Sequence, residues 1–222
     1  MRVDRMVDAL LFGSIGVLAE TSEIQRQAFN QSFEEHGLDW YWNIANYCEL
    51  LKSPGGKKRI TDFSNVNLSD DIIESIHARK ERIFHDQLRL GLNPRDGVID
   101  CIETCRNKNI KIGFVTTTSL NNINALKQAL HKSIDFKQFD LITIKPDVSK
   151  EKPSGEIYKF ALSKLEVLPE NTIAIEDTEV NQQAALENEI LCYLFAGEYA
   201  FTQTNFNAIK TLKTLSAKLK TL

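Results

Sequence analysis

The chain has 222 residues, 27 basic and 30 acidic, with a formal net charge of −3. The charges are spread along its length, so there is no electrostatic footprint for nucleic acid, and the length allows one large domain or a core with a smaller insert. The four cysteines, Cys48, Cys101, Cys105 and Cys192, have neither metal-ligand spacing nor the density of a secreted disulfide scaffold, and read as buried free thiols in a reducing compartment.

Val7, Ala9, Leu10, Leu11 and Phe12 make a near-continuous apolar run of the kind buried in a parallel sheet, and Gly16 reads as the turn that leaves it. Arg2 and Arg5 ahead of an apolar stretch to Ala19 imitate a signal peptide, but Asp8 interrupts the stretch and the strand accounts for the same residues. No other segment has the apolar length needed to span a bilayer, so no membrane partner and a soluble, cytoplasmic setting are expected.

Thr21 to His36 carries Ile24, Ala28, Phe29 and Phe33 at helical spacing and stops at Gly37. An aromatic-rich second helix is expected over 39–51, a break at Ser53-Pro54-Gly55-Gly56, a short helix from Lys57 to Phe63, and a long one from its cap Ser69 to about Leu90. From Pro94 the pattern alternates. Helices are expected over 96–107, 119–130, 154–165 and 179–188, with strands over 110–115, 139–144, 172–175 and 191–195. Such alternation implies an α/β, doubly wound, Rossmann-like parallel sheet, with residues 1–17 and 92–222 as core and 18–91 as an inserted helical cap. Leu212, Leu215, Leu219 and Leu222 share one face of a last helix. Docking of that face onto the core is the expectation, in preference to a membrane surface.

Ligands of open parallel sheets bind at the carboxyl ends of the strands, and four such ends are polar here. They are Phe12 to Leu18, Thr116-Thr117-Thr118, the frame Lys150 to Tyr158 (KEKPSGEIY), and Glu176-Asp177-Thr178 within TIAIEDTEVNQQAAL. Their order resembles the motifs of the haloacid dehalogenase (HAD) phosphatase superfamily over essentially the whole chain. The run Gly16 to Trp42 (GVLAETSEIQRQAFNQSFEEHGLDWYW) and Gly55-Gly56-Lys57-Lys58-Arg59-Ile60 resemble its CbbY-like branch, the sugar-bisphosphate phosphatases related to beta-phosphoglucomutase.

The resemblance implies a phosphatase or phosphomutase acting on a phosphorylated sugar with magnesium. It makes Thr116, Thr117 and Lys152 phosphate-holding residues, Lys57 and Arg59 cap contacts to ligand, with Lys80 a further cap lysine, and Glu176 and Asp177 magnesium ligands. Taken alone, the threonines suit a helix-capping cluster, the adjacent acids a helix N-terminus, and the cap residues a solvated turn and helix face. The first motif departs from the family. Gly13 and Ile15 stand where the nucleophilic and acid/base aspartates belong, and Val17 where a threonine does. Ser22, Gln25, Pro54 and Asn181 are further departures, in place of Glu, His, Thr and Gly.

Without the carboxylate at position 13, magnesium keeps only the carbonyl of Ile15 with Glu176 and Asp177, so binding is expected to be weak or absent. Asp8 lies about 16 Å upstream on an extended strand, and strand alternation is expected to turn Ser14 to the opposite face, so neither replaces the nucleophile. The expected function is therefore a HAD-like protein that has lost phosphoryl transfer and is retained as a phospho-ligand binder or protein-interaction module. The competing expectation is an active magnesium-dependent hydrolase or phosphomutase with an unconventional first motif. Gly13→Asp, Ile15→Asp and Val17→Thr together are expected to restore chemistry that no single change restores.

Overall fold

β1 (Ala9–Phe12) is the central strand of a five-stranded parallel sheet, and every one of its residues is fully buried. In this computed structural model the described residues are 6–53, 55–64, 67–200, 202 and 207–221; Arg2, Arg5, Pro54 and Leu222 lie outside them. With β2 (Lys111–Phe114), β3 (Leu141–Ile142), β4 (Thr172–Glu176) and β5 (Leu191–Leu194) the sheet order is β3-β2-β1-β4-β5. Phe12 pairs in register with Phe114 on one side and Ile175 on the other, so the loops following β1, β2 and β4 leave the sheet at the same edge.

Alternation along the strands assigns side chains to two cores. Leu10, Phe12, Ile112, Phe114, Ile173 and Ile175 pack against α6 (Val98–Asn107), α7 (Leu120–Leu130) and α10 (Leu212–Thr221). Ala9, Leu11, Ala174 and Cys192 face α8 (Glu156–Leu165) and α9 (Glu179–Leu186). The leucines of α10 do dock onto this core: Leu212, Leu215 and Leu219 are buried, and Thr104 of α6 shares a hydrogen bond with Ser216 at 2.8 Å.

Between β1 and α6 lies a helical insertion. A single turn, α1 (Ile15–Leu18), leads to α2 (Ser22–Glu35), α3 (Ile44–Leu50), α4 (Gly56–Phe63) and α5 (Asp70–Leu88). The insertion has its own aromatic cluster, in which Trp42 is fully buried with ring centroids 4.5 Å from Phe29 and 4.9 Å from Phe33. Tyr199, from the loop after β5, joins this cluster and donates to Glu23 at 2.8 Å, which ties the insertion to the sheet. Among the described residues no helix is long and apolar enough to cross a membrane.

Several expected elements are shorter than their patterns. The helix expected over 39–51 begins only at Ile44, because Trp42 exchanges backbone bonds with the Asn30 side chain and Asn43 then caps the helix. The strand expected over 139–144 shrinks to Leu141–Ile142, since Phe139 is consumed by ring packing against Phe12, Phe114 and Phe136 after a 3-10 turn. Gly16 is not a turn residue but lies inside α1, where a Cβ would overlap the Asp177 carboxylate and lie 3.0 Å from its Cγ.

Candidate functional site

The strand ends and the insertion enclose a cavity of about 300 Å³. Its floor is Gly13 to Gly16 after β1, Thr116 to Thr118 after β2, Glu151 and Lys152 before α8, and Asp177 and Thr178 after β4. The insertion supplies the opposite wall, including Gln25, Tyr47 and Arg59. Arg95 braces the floor from beneath, donating to the carbonyls of Gly16 and Phe195 at 2.6 and 2.8 Å.

At the end of β1 the place of a side chain is already filled. A Cβ at Gly13 would overlap the Glu176 carboxyl and lie 2.5 Å from the Tyr158 hydroxyl. Glu176 is 0% exposed; its Oε1 takes bonds from Lys152 Nζ and from the Tyr158 hydroxyl at 2.7 Å, while Oε2 has no partner among the described residues. Burial pushes the Glu176 pKa up against the opposing charge of Lys152, and burial with the neighbouring Glu176 pushes Tyr158 well up. Lys152 also donates to the carbonyls of Gly13 and of Val115, the latter at 2.7 Å. An ammonium has three protons, and all three are committed to protein acceptors.

β1 ends at Phe12, and Ser14 is the N-cap residue of α1 beside the cavity, its Oγ buried with no partner among the described residues. Asp8 stays at the far end of the sheet, bonded to Asn171 at 2.9 Å.

The threonine loop is held open as a donor surface. Thr116 N–H donates to Thr143 Oγ1, whose hydroxyl donates back to Thr116 O, both at 2.8 Å. Thr116 Oγ1 accepts from Thr118 N at 3.2 Å, and the cap of α7 is Ser119 rather than any of the threonines. Likewise Thr178, not Glu176 or Asp177, caps α9. Thr116, Thr117, Lys152 and Asp177 therefore meet in one cavity, whereas Glu176 lies behind it.

From the insertion, Arg59 reaches the cavity. Its Nε donates to Leu50 O and Ser53 O at 3.1 Å, and its terminal nitrogens have no partner among the described residues. Gly55, at φ +88°, starts the turn into α4 that places it. The other cap residues do not arrive: Lys57 is exposed and pairs with Glu74 of α5, and Lys80 is buried against Gln25 and Glu81. Sequence reasoning assigned no role to Tyr158 or Tyr47; Tyr158 closes the KEKPSGEIY frame, and that position was the available signal.

Magnesium requires about six oxygen donors in near-octahedral geometry. Among the described residues no three His, Cys, Asp or Glu side chains converge on a point. Asp177 offers a carboxylate in the cavity, Glu176 Oε1 is held by Lys152 and Tyr158, and the Ile15 carbonyl accepts from Ala19 at 3.0 Å. This donor set does not fit the ion.

A family profile described as haloacid dehalogenase-like hydrolase matches residues 15–194. The chain is 37% identical over 198 residues to protein CbbY of Cereibacter sphaeroides, covering 87% of this chain and 86% of that protein. Its structure is similar to that of CbbY from Rhodobacter sphaeroides in complex with phosphate, with a TM-score of 0.84 and 34% identity over 95% of this chain and 96% of that one. A variant of the Rhodobacter sphaeroides protein in complex with xylulose-(1,5)bisphosphate matches with a TM-score of 0.82 and 35% identity, over 94% of each chain.

Proposed function

The chain belongs to the haloacid dehalogenase-like hydrolase family, and on that premise we propose that it binds a phosphorylated sugar without catalysing phosphoryl transfer. The observation that carries this reading is the volume beside Gly13. A nucleophilic carboxylate needs that volume, and Glu176 and Tyr158 fill it. Ile15 supplies no proton at the neighbouring position, so both the covalent route and general acid catalysis lack a group, the latter alone worth roughly 10² to 10⁴ in rate.

Binding has its own support. The threonine hydroxyls, the N–H of Thr117 and the Arg59 guanidinium are donors around one cavity, a set suited to an oxyanion. The ligands bound in the CbbY structures, phosphate and xylulose-(1,5)bisphosphate, are of this class. Residues 18–91 act in this proposal as a cap over a core of 1–17 and 92–222, supported by their separate aromatic cluster. The metal is dispensable, and the four free thiols support a cytoplasmic setting.

The test pairs two measurements on the purified protein. Inorganic phosphate and glucose 6-phosphate should raise the melting temperature equally with and without magnesium, and neither glucose 6-phosphate nor generic phosphate esters should be hydrolysed. Hydrolysis that vanishes in Asp177→Asn would sink the loss of chemistry. No thermal shift with either probe would leave a protein-interaction role instead.

A further inference from the structure

Lys80 is 3% exposed, yet it is surrounded as a cation. Its Nζ lies 4.9 Å from the ring centroids of both Phe29 and Phe84 and 3.0 Å from Glu81 Oε1. Burial holds its pKa below the ordinary lysine value, and the Glu81 carboxylate and the two aromatic faces oppose that pull in favour of the charged form. The same ammonium donates to Gln25 Oε1.

That bond decides which way a cleft residue points. An ammonium has donors and no acceptor, so it selects the oxygen of the Gln25 amide, and the Nε2 group is left on the other side. Gln25 lines the cavity, and its Nε2 has no partner among the described residues. Across the cavity, Thr118 Oγ1 accepts from Asn122 Nδ2 at 2.9 Å, which leaves the Thr118 hydroxyl proton free to donate. Two walls are thus set as donors by residues outside the cavity.

We propose that Gln25 is a ligand-recognition residue, held by Lys80 as a hydrogen-bond donor, that takes an oxygen acceptor of a phosphorylated sugar on the insertion side of the cleft. Lys80 is its positioning residue and touches no ligand. This rests on the phospho-ligand reading above, and the acceptor is a phosphoryl or a sugar hydroxyl oxygen.

The amide orientation is tested first, without ligand, by side-chain NMR of the whole protein. The Gln25 Nε2 protons should exchange rapidly with water, and the Gln25 carbonyl carbon should shift in Lys80→Met. Protected Nε2 protons, or a carbonyl indifferent to Lys80→Met, would overturn the proposal whether or not any ligand binds. If Lys80→Met does not fold, the wild-type exchange measurement still decides.

Titration with inorganic phosphate and with glucose 6-phosphate follows. Gln25→Leu should weaken binding about three- to tenfold, the worth of one hydrogen bond, and Lys80→Met should do the same without adding to it. Loss with both probes assigns the phosphoryl oxygen; loss with the sugar phosphate alone assigns a hydroxyl. Unchanged affinity in Gln25→Leu overturns the proposal. A wild-type protein that binds neither probe refutes the phospho-ligand reading and this ligand role with it, while a donor orientation in the amide spectra would still separate that failure from a misassigned Gln25.

Discussion

The carboxylate of Glu176 occupies the volume that a side chain at Gly13 would need. The two positions lie far apart in the chain, Gly13 just past the end of β1 and Glu176 at the end of β4, and the pairing of those strands brings them together where Gly13 N–H donates to Ile175 O at 2.8 Å. Any larger residue there requires the buried Glu176 and Tyr158 side chains, held with Lys152, to shift.

Gly13→Ala is therefore expected to destabilise the fold by about 1–3 kcal/mol through overpacking, read as a lower urea midpoint. Gly13→Asp adds a second carboxylate to a dry site and should cost more. The triple change Gly13→Asp, Ile15→Asp and Val17→Thr, which restores the family pattern on paper, should remain silent in a magnesium-dependent phosphatase assay, because Glu176 already fills the nucleophile's place. Activity in the triple variant would show that Glu176 and Tyr158 can move aside.

Lys152→Met leaves Glu176 buried without its cation and is expected to cost about 3–5 kcal/mol near neutral pH. Burial already raises the Glu176 pKa in the folded state, and removing Lys152 removes the main opposing charge. A raised folded-state pKa gives stability that is full below the unfolded value and is lost as pH rises through the folded value. The deficit of Lys152→Met should hence be largest at alkaline pH and shrink as the pH falls toward the ordinary glutamate range. A deficit independent of pH would mean that Glu176 is not the group left stranded.

Arg59 and Lys57 sit two residues apart, yet their substitutions should differ. Arg59→Ala should weaken inorganic phosphate binding about ten- to a hundredfold by calorimetry, the worth of a charge-assisted hydrogen bond. Lys57→Ala removes an exposed pair with Glu74 and should leave affinity unchanged and stability within about 0.5 kcal/mol. Equal losses would place Lys57 at the ligand after all.

Tyr199 fastens the insertion to the loop after β5. Tyr199→Phe keeps the ring and loses the bond to Glu23, costing about 1 kcal/mol. Tyr199→Ala also removes a ring from the aromatic cluster and should cost about 3 kcal/mol. Hydrogen exchange should rise first in α2 and α3, where Glu23 and Tyr47 lie, while β1 and β4 stay protected. Uniform loosening of the whole sheet would contradict a local fastening.

The amino-acid sequence by itself determined the alternation of apolar strands and amphipathic helices, the strand ends that carry Thr116, Lys152 and Asp177, and the absence of carboxylates at Gly13 and Ile15. These are local properties: burial on both faces of β1 demands an apolar run, and a helix face demands its own spacing. The ends of β3 and α3 escaped because Phe139 and Trp42 were claimed by rings and side chains distant in the chain. The state of the site was decided only by tertiary structure. Lys152 is spent on Gly13, Val115 and Glu176, Lys57 turns to Glu74, and Lys80 reaches the cleft only through Gln25. Each outcome depends on which acceptor lies within reach of a long cationic side chain. That is a matter of three-dimensional neighbours, which no local pattern encodes.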